Sequence, residues 1–293
     1  MKIVSKSVLI ITFALLITLA FTSYADAQSR SRARARSGGG SDGVKSMSLG
    51  GATGLIATPT ASTGWDPRTS VALDLGYHYI KDTGEGTSLK GNYSIPKALL
   101  HLGIAGTSLE LGCAYDIQPE VPGVDKTNDI LFNVKWVFMK GLAIGGNYQK
   151  LELNHKKGSS SDKQIYLAAT YPGTFFADMP AETTIVIGHT FYGDDTRVKN
   201  QKKNLDFSMG FDLTLFPQTF RNHLHWINDF ANYSYSTEAG GADALNRGCF
   251  NTGLRIAALA NHSRFKFNID ILLTDALDTN RDWGVGASFG LAF

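Results

Sequence analysis

The sequence predicts an all-β fold, an antiparallel transmembrane β-barrel of about twelve strands with periplasmic N- and C-termini, and three observations predict it. From Val71 onward apolar and polar residues alternate with period two. Many of these runs approach ten residues, the length a tilted strand needs to cross a bilayer, about twice that of ordinary strands. The chain also opens on an export signal and closes on an alternating strand.

The start comes first. Lys2 and Lys6 precede an apolar run from Val8 to Phe21, and Ala25-Asp26-Ala27 offers small residues where a signal peptidase reads. Residues 1–27 therefore read as a signal peptide cut after Ala27. Residues 28–43 (QSRSRARARSGGGSDG) have no apolar run and place Arg30, Arg32, Arg34 and Arg36 among small residues. That composition is a disordered linker, or a polybasic contact to anionic headgroups or another envelope polymer. In residues 44–70, Gly50, Gly51 and Gly54 permit tight turns and Pro59 fixes an extended chain. Both a plug in the periplasmic mouth and a strap along the rim fit that segment.

The barrel is expected over residues 71–293, with strands at 71–80, 88–95, 107–117, 129–139, 142–153, 164–172, 183–192, 204–215, 223–234, 248–259, 264–273 and 283–293. In the first, Val71, Leu73, Leu75, Tyr77 and Tyr79 share one face, and Asp74, Gly76 and His78 share the other. Phe132, Val134 and Trp136 likewise oppose Asn133 and Lys135; Phe207, Met209 and Phe211 oppose Asp206, Ser208, Gly210 and Asp212. A lumen tolerates charge and a lipid face does not. The lumen-facing candidates are thus Asp74, Glu110, Asp116, Lys135, Asp206, Asp212, Lys266 and Asp270.

Connections should alternate between long outer loops and tight inner turns. The outer set, 81–87, 118–128, 154–163, 193–203, 235–247 and 274–282, is polar and mostly charged. The inner set includes 140–141, 216–222 and 260–263, and two longer segments, 96–106 and 173–182, that carry Leu99, Leu100, Phe175 and Phe176. The last strand sets Trp283, Val285, Phe289, Leu291 and Phe293 against Gly, Ser and Ala. Phe289, Leu291 and Phe293 resemble the C-terminal signal read by barrel-assembly machinery. Outer-membrane lipids, lipopolysaccharide and that machinery are the expected partners.

Composition agrees. The 293 residues carry a formal net charge of +2, which excludes electrostatic capture of nucleic acid. Mean hydropathy is −0.09, far below that of a helical membrane protein. Cys113 and Cys249 fall on strands distant in barrel order and read as unpaired. No HExxH, CxxC, GxSxG or GxGxxG occurs. The seven histidines are His78, His101, His155, His189, His223, His225 and His262, and only His223 and His225 share a face at close spacing. Two ligands make no metal site. Asp194-Asp195, Asp275 and Asp278 read as solvated loop charges. The chemistry points to no enzyme, cofactor or metal.

Residues 50–61 read Gly-Gly-Ala-Thr-Gly-Leu-Ile-Ala-Thr-Pro-Thr-Ala. The stretch Gly54, Leu55, Ile56, Thr58, Pro59, Thr60, Ala61 resembles the opening of the YjbH family, outer-membrane barrels associated with exopolysaccharide. Arg247 to Arg255 is similar to barrel repeats of that family. The motif covers about a dozen residues, and polysaccharide-linked members are often longer than this one-barrel chain. The resemblance implies an outer-membrane location and a polysaccharide or its export proteins as partners. The expected function is a non-enzymatic channel or export component for a polar solute or polysaccharide. The alternative is a closed scaffold barrel that presents loops or anchors periplasmic partners.

Overall fold

The computed structural model describes residues 45–81, 92–117, 128–152, 159–175, 179–191, 205–232, 248–260, 262, 264–277 and 282–293. The expected signal peptide and Arg-rich linker and most of the expected outer loops lie outside these residues. Two short strands, β1 (Ser46–Met47) and β2 (Thr53–Gly54), pair antiparallel. Twelve further strands form one closed antiparallel barrel: β3 (Val71–Lys81), β4 (Asn92–Ile104), β5 (Thr107–Ile117), β6 (Asn128–Met139), β7 (Leu142–Glu152), β8 (Ser159–Phe175), β9 (Met179–Phe191), β10 (Leu205–Thr214), β11 (Leu224–Ala231), β12 (Cys249–Ala257), β13 (Phe265–Thr274) and β14 (Asp282–Ala292). Each strand pairs with its sequence neighbour, and β14 closes on β3 from Trp283↔Lys81 to Ala292↔Ala72. Closure leaves no open edge, which is what a sheet needs where no water can satisfy its backbone.

Two expectations need correction. The strand expected at 88–95 runs Asn92–Ile104, so the inner turn expected at 96–106 shrinks to Ala105 and Gly106. Pro96 lies in this segment, and proline cannot donate to a ladder. Here it sits inside β4 opposite Tyr77, and the β4–β5 pairing lapses between Ser94↔Ile117 and Lys97↔Ala114 while the register is kept. The sheet accepts one lapse because both flanks stay paired. Likewise β8 and β9 extend through most of the expected 173–182 turn, pairing Phe175 with Met179. Leu99, Leu100 and Phe175 belong to the barrel wall, and Phe176 lies outside the described residues.

The two faces of the wall have opposite chemistry. Along β6, Phe132 is 52% and Val134 49% exposed, whereas Asn133 is 3% and Lys135 0% exposed. Leu75, Tyr77, Ile144, Ile165, Met209, Ile271 and Phe289 continue the outer apolar surface around the barrel. Such an unbroken apolar exterior is stable only against lipid. No helix among the described residues is long and apolar enough to cross a membrane. The strands make the crossing.

Candidate functional site

The site is the lumen, and residues 45–65 lie inside it, from Ala61 at Thr170 toward the short turns to Leu49 beside Ile80 and Tyr93 toward the loops. Met47, Leu55, Ile56, Ala61 and Trp65 are buried there. Leu55 and Ile56 pack on Ile227 and Leu272 of the wall, while Leu49 touches the apolar layer of Ile80, Tyr93, Ile95 and Leu131. Of the two arrangements open from sequence, plug or strap, the segment adopts the plug.

The path of the plug depends on two glycines. Gly51 has φ +85°, and a Cβ there would lie 2.9 Å from the Cys113 carbonyl oxygen. At Gly54 a Cβ would lie 2.4 Å from the Thr58 carbonyl oxygen and 3.1 Å from the Pro59 Cα, so the turn through Thr58 and Pro59 closes only on glycine. Within that turn Leu55 N–H donates to the Thr58 carbonyl (2.9 Å) and Thr60 N–H to the Thr53 carbonyl (3.1 Å).

The wall holds the plug largely through its main chain. Lys97 Nζ donates to the carbonyls of Met47 (3.2 Å) and Ser48 (2.6 Å). Lys135 Nζ donates to those of Thr53 (3.1 Å) and Ser62 (2.9 Å) and pairs with Glu110 at 2.7 Å. Asn133 donates to the Gly50 carbonyl at 2.9 Å. Arg255 reaches the carbonyls of Gly54 (3.2 Å) and Leu55 (3.3 Å) while its Nε donates to Asp270 at 2.8 Å. Asp229 faces the other polarity. Its Oδ2 accepts the N–H groups of Ile56 (2.9 Å), Ala57 (2.7 Å) and Thr58 (2.9 Å). One turn is thus gripped at its carbonyls by a cation and at its amides by an anion, the arrangement of an anion-binding nest.

Ion pairs complete the layer. Lys266 meets Asp74 at 2.8 Å, and Trp65 of the plug donates to the same carboxylate at 3.1 Å under the Lys266 ammonium. His78 Nε2 lies 3.3 Å from Asp270. Lys45 pairs with Glu182. Burial works against the Lys45 ammonium, but Glu182 and Asp212 outweigh it and hold the amine above its usual range. Toward the loop end, Asp206 accepts from Gln164 (2.7 Å) and Thr190 (2.6 Å).

Asp74, Glu110, Asp116, Lys135, Asp206, Asp212, Lys266 and Asp270 are all buried within the barrel. Glu110, Lys135, Asp74 and Lys266 touch the plug directly or through one partner; Asp116 and Asp206 lie nearer the loops. The motif residues Gly54, Leu55, Ile56, Thr58, Pro59, Thr60 and Ala61 are all buried. Ala61 N–H donates to Thr170 at 2.8 Å. His225 is engaged by Asp212 (2.6 Å) and the Asn222 carbonyl (3.0 Å), and His223 by the Ala257 carbonyl, so the two imidazoles form no common site. Among the described residues no three His, Cys, Asp or Glu converge as metal ligands. Cys113 and Cys249 are not joined in a disulfide. Asp275 is buried at the end of β13, so it is no solvated loop charge. Asp194, Asp195 and Asp278 lie outside the described residues.

Sequence reasoning missed Lys97, Asp229 and Arg255. Lys97 fell in the supposed turn at 96–106. The alternations Asn251-Gly253-Arg255 and Ile227-Asp229-Ala231 would have found the other two had those strands been assigned faces.

If Asp229 anchors the plug, Asp229→Leu orphans three amides. Amide exchange at Ile56, Ala57 and Thr58 should then accelerate about tenfold or more, as loss of a charged acceptor costs roughly 1–3 kcal/mol. Unchanged exchange at all three in bilayer-embedded protein would remove Asp229 from the plug's hold.

The closed wall, its lipid-facing exterior and its charged, plugged interior define an outer-membrane β-barrel. No family model matches the chain, and no curated protein matches it. Similar solved structures include the KdgM porin (9% identity, 75% of this chain and 99% of that one, TM-score 0.42). Others are the COG4313 outer membrane channel from Pseudomonas putida F1 (8%, 77% and 96%, TM-score 0.42) and the translocator domain of the autotransporter NalP from Neisseria meningitidis (9%, 77% and 89%, TM-score 0.43).

Proposed function

We propose that this protein is a non-enzymatic channel of the outer membrane, held closed at rest by residues 45–65, that passes a polar solute or polysaccharide when the plug shifts. The observation that carries the reading is the chemistry of the plug's seat. A barrel closed for good is best filled with apolar side chains, because buried charges cost desolvation. Here Lys97, Lys135, Asn133, Arg255 and Asp229 bind main-chain groups that water or a hydroxylated solute can replace one for one. A wall of this kind stays wettable once vacated. The similarity to the YjbH family makes an exopolysaccharide setting part of the proposal.

The scaffold reading has its own support in the apolar contacts of Leu49, Leu55 and Ile56. Planar-bilayer recording separates the two. Gly54→Leu changes no charge and cannot fit the plug turn. We expect small or rare openings for the unmodified protein and stable conductance, increased about tenfold or more, for the variant, since an eight-strand barrel is already filled by side chains and twelve strands enclose a wider bore. A folded Gly54→Leu protein that conducts no more than the unmodified one would favour the scaffold.

A further inference from the structure

The connection between β10 and β11 is unlike the other short turns. It runs from Leu215 to His223 and contains a four-residue helix, α1 (Pro217–Phe220). Phe216, Arg221 and Asn222 adopt φ values of +43°, +50° and +65°; the other described non-glycine residues with positive φ are Ala105 and Asp275. Side chains with a Cβ adopt such conformations only when the surroundings impose them. The surroundings here are specific. Thr219 and Phe220 N–H groups donate to the Phe216 carbonyl (2.9 and 3.0 Å), Leu215 N–H donates to the Leu224 carbonyl (2.9 Å), and His225 Nε2 holds the Asn222 carbonyl.

This fixed backbone turns two aromatic rings away from the barrel. Phe216 is 59% and Phe220 42% exposed, with ring centroids 6.4 Å apart, and the exposed Arg221 follows directly. The strand ends that frame the turn carry side chains of the lipid-facing belt, Trp226 of β11 among them at 41% exposed. Leu213 pairs with Trp226 at the foot of the β10–β11 ladder, and Phe211 stacks edge-on against Trp226 (5.6 Å) and Phe175 (5.2 Å). An aromatic pair beside a cation, on a turn framed by strands of the apolar belt, matches the boundary between acyl chains and anionic headgroups.

We infer that this turn docks on phospholipid: Phe216 and Phe220 enter the periplasmic leaflet and Arg221 meets an anionic phosphate at its surface. The inference rests on the membrane-spanning reading of the barrel. It places a lipid contact beyond the barrel wall, on the connection that also orients His225 inside.

Spin-label accessibility tests it in the full mature chain, reconstituted in vesicles of phosphatidylethanolamine and phosphatidylglycerol. Labels are placed by Phe216→Cys or Phe220→Cys in a background carrying Cys113→Ala and Cys249→Ala, and only folded, heat-modifiable protein is measured. Phe132→Cys reports the belt, and Arg68→Cys, on a side chain 89% exposed near the same end, reports water. Labels at 216 and 220 should relax several-fold more with lipid-soluble oxygen than with an aqueous nickel chelate, as at 132, and the reverse should hold at 68. Nickel-dominated relaxation at 216 and 220 would mean a turn free in water. Shielding from both reagents would mean a protein occupant. Either result overturns the inference, whereas nickel-dominated relaxation at 132 would instead overturn the membrane-spanning reading.

Discussion

Val134→Arg is expected to prevent stable assembly, although the next residue along β6 is a native lysine. Val134 faces lipid and is 49% exposed near mid-strand. An arginine there costs about 2–4 kcal/mol at the bilayer midplane. Lys135 carries the same charge one residue on, yet is buried inside. Glu110 lies 2.7 Å from its amine, and the carbonyls of Thr53 and Ser62 accept its remaining protons. The period-two alternation of a strand therefore separates a tolerated cation from an excluded one. Urea titration in lipid vesicles, read by the heat-modifiability shift on gels, should show Val134→Arg losing stability on that scale, and Val134→Ile should behave as the unmodified protein. Equal midpoints for all three would contradict the assignment of this face to lipid.

Asp270→Ala should be more damaging still. Arg255 is the largest fully buried side chain among the described residues, and Asp270 meets its Nε at 2.8 Å and a terminal nitrogen at 3.2 Å. Removing the carboxylate leaves the guanidinium buried with only the Gly54 and Leu55 carbonyls, and leaves His78 without its partner. Breaking one side of a buried pair typically costs about 3–5 kcal/mol, whereas replacing both sides by apolar groups of similar size is often near neutral. The double variant Arg255→Met/Asp270→Leu should thus recover most of the stability. It should not recover the plug's seat, because no cation remains to hold the two carbonyls. Protease cleavage within residues 45–65 of the folded double variant reads that second effect. If Asp270→Ala matches the unmodified protein in urea midpoint, the pair does not support the barrel. If the double variant protects the plug fully, Arg255 does not hold it.

These two residues show how far the sequence could be read. The order, direction and number of barrel strands, and the inward set from Asp74 to Asp270, follow from alternation, because each strand meets the same two solvents, lipid and lumen, along its length. Every such signal is local. At 96–106 the local reading misled: the segment read as an inner turn, yet β4 runs on to Ile104 and carries Pro96 inside a ladder paired on both flanks.

By itself, the sequence determined a membrane-crossing barrel with a charged interior, because the period of hydrophobicity and the length of each run are written residue by residue. Only the tertiary structure decided that residues 45–65 lie inside that barrel. Their glycines and Pro59 are equally compatible with a strap. The choice depends on Asp229, Arg255, Lys97 and Lys135 converging on them from β11, β12, β4 and β6, strands distant from the plug in the chain. Hydrogen bonds between residues some 50 to 200 positions apart leave no period in the sequence; they exist only once the barrel closes and its inner faces come within reach of one turn.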